Sequence, residues 1–174
     1  KLWLNRHRPQ TTANPPLRRA RMDSLTERRK ATVLAFFEAY STGKWEQATR
    51  QHLAQGCIWE VFPRSVGSRR TKEEHMQYLA EVLKDFSDFT ITPFDVVCEG
   101  TTVQAICRSE STHRLVGAYG QDYAFTFRFA DDSGDSIVFI REFVDSLYSA
   151  RIFGKIDKLQ KGEAQNSAKP SSKL

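Results

Sequence analysis

The chain has 174 residues, of which 40% are hydrophobic, which is enough for one globular domain with a buried core but short for two. No apolar run approaches the length of a membrane span, since the longer ones, such as residues 137–140, are only as long as a strand. A transmembrane helix is therefore excluded, and no membrane partner is expected.

The formal charge of +5 lies mostly at the two ends of the chain. Six of the 26 Lys and Arg residues fall within residues 1–21 and five within 155–174, which leaves 15 basic against 19 acidic residues in 22–154 and a net charge of −4 there. A protein that binds nucleic acid carries its positive charge on the folded surface or in a groove. This distribution argues against nucleic acid as a partner.

Both ends also lack hydrophobic periodicity. Residues 1–23 mix Arg, Pro, Thr and Asn and predict a disordered basic leader or a tag, with an organellar presequence as the alternative. Because the first residue is Lys, Met22 is a candidate native start. Residues 155–174 are rich in Lys, Ser and Gln and predict a flexible tail. The tail ends in Ser172-Lys173-Leu174, which matches the peroxisomal address.

The chain has three cysteines, an odd number without disulfide or metal spacing: Cys57, Cys98 and Cys107. All three lie in strand-like apolar contexts, where a small buried thiol is the usual role. We therefore expect a reducing, intracellular compartment, which is the cytoplasm, or the peroxisome if the C-terminal tripeptide is native.

Three helices are predicted in the first half of the chain. Ser24 and Glu27 predict a capping box, followed by apolar residues at the spacing of one buried helix face: Val33, Phe36, Phe37 and Tyr40. Gly43 ends this helix, and a short second one is predicted from Lys44 to about Leu53. Thr71 and Glu74 predict a capped third helix with this apolar stripe: Met76, Leu79, Leu83 and Phe86.

Strands are predicted from alternating hydrophobicity. One strand, Cys57–Phe62, lies between the second and third helices and is ended by Pro63. Ser65–Arg70 is predicted to be a loop. After Phe86 the period becomes two, and four further strands are predicted: Phe89–Cys98, Thr102–Ser111, Val116–Phe129 and Ser136–Val144. Asp145 then predicts the N-cap of a last helix.

This order of elements resembles the nuclear transport factor 2-like superfamily over roughly residues 31–153. The most specific pieces are Phe36–Tyr40 running to Gly43, Trp59–Pro63 followed by Gly67, and Arg141–Ser146 at the end of the last strand. The first two together are similar to small fungal SnoaL-like proteins.

The resemblance implies an α+β cone over residues 24–154, with three N-terminal helices packed on a curved, mostly antiparallel sheet. Such a sheet does not close at its wide end, which leaves an apolar pocket. The superfamily includes ketosteroid isomerases, polyketide cyclases, scytalone dehydratases, limonene epoxide hydrolases and non-catalytic association domains. The fold alone therefore does not select a function.

Glu142, Arg108 and Glu110 are the predicted catalytic residues. Arg108 and Glu110 are two residues apart and share one face of a strand, and Glu142 lies in the last strand. Limonene epoxide hydrolases look similar here, with an Arg-x-Asp pair and an Asp in the last strand. Their water-holding Tyr and Asn would fall on Trp59 and Val61, and because valine cannot form that hydrogen bond, epoxide hydrolysis is not favoured.

The alternative is that these three residues form an ion-paired polar face in solvent. If Arg108 and Glu110 face the pocket, Val103, Ala105 and Cys107 face outward, and that apolar outer face predicts a homodimer through the sheet. If the strand faces the other way, the three charged residues lie on the solvent-exposed surface and have no role in the pocket.

Four aromatic residues are predicted to bind substrate: Trp59, Tyr119, Tyr123 and Phe86. Phe62, Phe94 and Phe125 could line the same cavity. His75 and His113 are expected in solvent, and Glu60 is a weaker acid candidate. No cluster of His, Cys and acidic residues has metal spacing and no Gly-rich loop follows a strand, so no metal or other cofactor is expected.

These residues favour a cofactor-free isomerase, cyclase, dehydratase or hydrolase that acts on a small apolar metabolite, with Glu142 as the acid or base. Two alternatives stay open: a ligand-binding protein with the same pocket and no chemistry, and a dimeric association module.

Overall fold

The computed structural model describes residues 15–167, with side chains within 22–162, and this part of the protein forms four helices and one six-stranded sheet. The helices are α1 (Pro15–Ser41), α2 (Trp45–His52), α3 (Lys72–Leu83) and α4 (Ser146–Ser167). The strands are β1 (Leu53–Phe62), β2 (Arg69–Thr71), β3 (Phe86–Glu99), β4 (Thr102–His113), β5 (Gly117–Phe129) and β6 (Ile137–Val144). No helix in this part of the chain is long and apolar enough to cross a membrane.

The strands lie side by side in the order β2-β1-β6-β5-β4-β3. β1 runs parallel to β6, and every other neighbouring pair is antiparallel. The predicted α+β class, with three N-terminal helices on a mostly antiparallel sheet, is confirmed. The parallel pair is important because it brings the early strand that carries Trp59 beside the last strand, which carries Glu142.

The core lies between α1 and the sheet. The apolar face predicted for α1 is buried, and Phe37 contacts Phe125 and Phe127 of β5 at ring-centroid distances of 5.4 and 5.6 Å. Burying a phenylalanine contributes about 1.5–3 kcal/mol, so this face anchors the helix to the sheet. α1 ends where predicted, because Gly43 has a φ of +72°, which glycine adopts without strain.

Helix ends are where the sequence predictions were wrong. α1 begins at Pro15 rather than Ser24, because proline is tolerated in a first helical turn and the Arg- and Ala-containing segment that follows favours helix. α4 continues to Ser167 instead of giving way to a flexible tail near residue 155. Its Lys161 and Asp157, four residues apart, pair at 2.7 Å and support the helix.

Two other boundaries differ from the predictions. Arg69 and Arg70, predicted as the end of a loop, form the edge strand β2 together with Thr71, and this strand pairs with Ile58–Glu60. Phe86, predicted in the third helix, begins β3. The capping box of α3 and the Asp145 N-cap of α4 are confirmed, with the Asp145 carboxylate accepting hydrogen bonds from the next helix's first amides. Most of the predicted leader, residues 1–14, and Ser172-Lys173-Leu174 lie outside the described residues.

Arg29 joins α1 to two turns of the sheet. Its guanidinium is 4% exposed and donates hydrogen bonds to the carbonyl oxygens of Gly100, Asp131 and Ser133 at 2.7, 2.7 and 2.9 Å. Gly100 lies between β3 and β4, and the other two lie between β5 and β6. Thr32, one helical turn later, donates to Gly134 at 2.8 Å. The guanidinium therefore supplies hydrogen-bond donors to carbonyl groups in turns, where no neighbouring strand supplies them.

We expect Arg29→Met to lower the free energy of unfolding by about 3 kcal/mol, because it leaves the partly buried carbonyl groups of two turns without their donor. Arg28→Met is the matched control, since Arg28 is exposed and its pair with Asp135 is long at 3.5 Å. That change should cost less than about 0.5 kcal/mol. Urea unfolding followed by circular dichroism measures both, and equal losses would contradict the role given to Arg29.

Candidate active site

A cavity of about 390 Å³ lies between the concave face of the sheet and helices α1, α3 and α4. This volume is within the range of small-molecule sites. Its wall is mostly aromatic and aliphatic. Apart from tyrosine and tryptophan, the polar side chains among the described lining residues are His75, Gln121, Glu142 and Ser149. None of these described lining residues is Lys or Arg.

Glu142 is the acidic group of the cavity. It lies on β6 between Ile140 and Val144, which alternate onto the same inner face, and across the ladder from Phe125 of β5. The protein encloses the carboxyl group, and the surface that it retains faces the cavity. Burial raises its pKa from an ordinary value of 4.5 to about 7, against the opposing effects of a hydrogen bond from Trp59 and the charge of Arg70.

Trp59 holds one oxygen of this carboxyl group. The indole N–H donates to Oε2 of Glu142 at 2.8 Å. Trp59 is on β1, and the parallel register places it opposite Ile140, next to the inward-facing position of Glu142. The carboxyl group therefore has a fixed orientation, because its donor belongs to a buried ring that cannot move freely.

His75 of α3 stacks flat against the ring of Trp59. The two rings are 3.7 Å apart between centroids with an interplanar angle of 13°. The imidazole is 2% exposed. Burial, with a smaller contribution from the charge of Arg70, lowers its pKa to about 3, so the ring is neutral at physiological pH.

A directional chain of hydrogen bonds forms the opposite part of the wall. Ser109 donates to Tyr123 at 3.3 Å, the hydroxyl groups of Tyr123 and Tyr119 are 3.3 Å apart, and Tyr119 donates to Oε1 of Gln121 at 2.7 Å. The amide of Gln121 then donates to Ser149 of α4 at 3.0 Å. Burial raises the pKa values of Tyr119 and Tyr123, so both phenols stay protonated at neutral pH. These hydrogen bonds also connect α4 to β5 at the cavity wall.

Arg108 and Glu110 are not in the cavity, which corrects their predicted placement beside Glu142. Both lie on the outer face of β4, with side chains 49% and 72% exposed. Arg108 pairs with Glu110 at 3.5 Å and with Asp122 of β5 at 3.1 Å. The physical reason is that a charged pair keeps its hydration on the outer face, whereas the small apolar residues of the same strand fit under α1.

The same alternation corrects the predicted outer face of β4. Val103, Ala105 and Cys107 have no exposed surface and face the core. They cannot form a dimer surface. Cys57 is also buried, and burial raises the pKa of the Cys57 and Cys107 thiols to about 12, while Cys98 is only partly buried.

All four residues predicted to bind substrate line the cavity: Trp59, Phe86, Tyr119 and Tyr123. Phe125 lines it as well, but Phe94 is 67% exposed and Phe62 stacks on Phe143, which is 47% exposed. Glu60 accepts from Arg141 at 3.2 Å and lies near Arg69, so it belongs to an ion-pair group.

Two histidine predictions were wrong. His75 is buried because α3 turns it toward β1, and His113 is 3% exposed because its ring packs edge-on against Phe86. Gln121 and Ser149 were missed. Gln121 could have been found, since it lies between Tyr119 and Tyr123 in the alternation and must share their face. Ser149 depends on how α4 packs and has no local signal.

Comparison with known proteins identifies the family and the fold. The model of the SnoaL-like domain family matches residues 33–137. The structure of BvnE pinacolase from Penicillium brevicompactum superposes with a TM-score of 0.71 at 15% identity, covering 78% of this chain and 99% of the other. PrhC from Penicillium brasilianum gives the same TM-score and identity over 78% of this chain and 92% of the other. No curated protein matches the chain in sequence.

At this level of identity the two structures support the fold alone, which is the predicted nuclear transport factor 2-like cone. The family match covers more than half of the chain. The chain therefore belongs to the SnoaL-like domain family.

Proposed function

We propose that this domain binds a small apolar metabolite in the cavity and that Glu142 exchanges a proton with it, as a cofactor-independent isomerase, cyclase, dehydratase or hydrolase. The observation that carries the proposal is a single carboxyl group in an apolar wall, oriented by the Trp59 indole. A carboxyl group with a pKa near 7 can act as acid or base at neutral pH, because both of its forms are populated.

The hydrogen bond from Trp59 supports this role. It engages Oε2 and stays in place in both protonation states, since a carboxylate and a carboxylic acid can each accept from an N–H. The other oxygen is then the one available to the occupant. The similarity in fold to a protein named a pinacolase agrees with an enzyme of this type.

Turnover is expected to depend on Glu142. Glu142→Gln keeps the shape and the Trp59 hydrogen bond but removes the exchangeable proton, so we expect kcat to fall by about 10²–10⁴-fold without a loss of thermal stability. Candidate substrates come from a thermal-shift screen of neutral polycyclic and terpenoid alcohols and ketones, followed by product analysis by mass spectrometry.

Glu110→Gln is the matched control, because Glu110 is exposed on the outer face and should leave turnover unchanged. If products persist in Glu142→Gln, Glu142 is not the acid or base. If the parent protein converts none of the compounds that it binds and Glu142→Gln alters only their affinity, the ligand-binding alternative is correct.

The stability of the fold should also depend on pH through Glu142. Because the folded protein raises this pKa from 4.5 to about 7, folding favours the protonated carboxyl group. Its stabilising effect is complete below about pH 4.5 and is lost as the pH rises through 7. Relative to Glu142→Gln, the free energy of unfolding should fall by about 3 kcal/mol between pH 4 and pH 8, measured by urea unfolding. Parallel curves for the two proteins would contradict the assigned pKa.

We also propose that the chain forms a homodimer through the outer face of the sheet. This face exposes apolar side chains: Phe94 at 67%, Val97 at 55%, Phe143 at 47% and Ile106 at 38%. Arg141 lies 5.0 Å from the Phe62 ring and 5.4 Å from the Phe139 ring, which adds cation–π contacts to the same face. A surface of this kind is typical of a protein interface, where aromatic residues and arginine are enriched.

Ile106→Arg should give monomers, because it puts a charge in the middle of this face beside Ala124 and Asp95. Leu147→Arg is the control, since Leu147 is 59% exposed on α4 and away from the sheet. Light scattering coupled to size-exclusion chromatography measures both variants. A monomeric parent protein at micromolar concentration, or equal effects of the two changes, would refute the dimer.

A further inference from the structure

His75 is an unusual side chain to find in the wall of the cavity. Neither of its ring nitrogens has a hydrogen-bond partner among the described residues. Neighbouring side chains also shield both nitrogens from water. A buried polar group without a partner lowers the free energy of unfolding by about 1–3 kcal/mol, so the imidazole destabilises the fold relative to an apolar ring in the same place.

The other polar groups of the cavity are paired. Glu142 accepts from Trp59, and Gln121 is held by Tyr119 and Ser149. Stacking on Trp59 does not explain a histidine, because a phenylalanine ring would stack as well and would leave no nitrogen unpaired. The two unpaired nitrogens therefore need another explanation, and the cavity that the His75 side chain lines supplies one.

We propose that the imidazole of His75 is a second binding group of the cavity, which exchanges a hydrogen bond with a hydroxyl or carbonyl oxygen of a neutral occupant. This inference rests on the proposed binding function of the cavity. The neutral ring offers one N–H donor and one acceptor nitrogen, so it can pair with either kind of oxygen. His75 stacks on Trp59, which holds Glu142, so the binding group and the acid or base belong to one part of the cavity wall.

The occupant is neutral because the wall offers nothing to balance an anion. Within the part of the chain that the structure describes, no Lys or Arg lines the cavity, and an anionic group would also lie near Glu142. Arg70 stays outside, with its guanidinium 3.8 Å from the ring centroid of Tyr78.

Tyr78 is the side chain that would move to admit the occupant. Its ring packs against His75 at a centroid distance of 6.1 Å and is 38% exposed. The opposite neighbour, Trp59, is buried and fixed by Glu142. A rotation of Tyr78 toward solvent would open the imidazole edge to the cavity without disturbing the carboxyl group.

Two matched probes test this proposal: 2-naphthol and 2-methylnaphthalene, which have nearly the same shape and differ in one hydroxyl group. Binding of each is measured by calorimetry with the parent protein, with His75→Phe and with Glu142→Gln. We expect the parent protein to favour 2-naphthol by about tenfold, and His75→Phe to reduce that preference by roughly three- to tenfold while binding of 2-methylnaphthalene is kept. His75→Phe should also have a higher Tm, since it removes the unpaired nitrogens.

Nitrogen-15 spectra of the histidine side chains give an independent readout. The His75 signals should shift with 2-naphthol and not with 2-methylnaphthalene. A preference that survives in His75→Phe and disappears in Glu142→Gln would overturn the role of His75 and leave the proposed function intact. Equal loss of both probes in His75→Phe would reduce His75 to a packing residue, and failure of both probes to bind the parent protein would overturn the proposed function as well.

Discussion

The site depends on the register between the first and last strands of the sheet. Because β1 and β6 are parallel and Trp59 lies opposite Ile140, the indole N–H reaches the carboxyl group two residues further along. A shift of one residue in β6 would turn Glu142 to the outer face and put Arg141 or Phe143 in its place, depending on the direction of the shift. The same strand pair also carries the outer Glu60 and Arg141, which accept and donate a hydrogen bond at 3.2 Å. This single register therefore places the carboxyl group of Glu142 in the apolar interior and the ion pair of Glu60 and Arg141 on the outer face.

The order of elements could be read from the sequence because periodicity is a local property. The spacing of Phe36 and Phe37 predicted the buried face of α1, and the alternation through Tyr123 and Phe125 predicted β5. Alternation identifies which residues share a face, but it does not say which face is inside. Arg108 and Glu110 were therefore placed on the wrong side, although the small residues at the alternate positions of β4 fit beneath a helix much better than a guanidinium does.

The remaining features were not predictable because they depend on contacts between distant segments. The burial of His75 requires α3 to pack against β1, and Arg29 finds its carbonyl partners more than 70 residues away. The two residues show opposite solutions to the same problem. Arg29 is charged but fully paired, so it stabilises the fold, whereas His75 is neutral and unpaired, so it costs stability beside the cavity. Natural proteins keep such a cost mainly where a site needs it.

The family match covers most of the fold but only part of the site. The matched segment ends at residue 137, before both Glu142 and the helix α4 that contributes Ser149 and Phe153 to the cavity wall. The part that defines the family builds the cone and most of the apolar wall. The carboxyl group of Glu142 and one wall of the cavity come from the segment after it. Differences in chemistry and substrate within this family can then arise in the last strand and final helix, because changes there leave the core between α1 and the sheet intact.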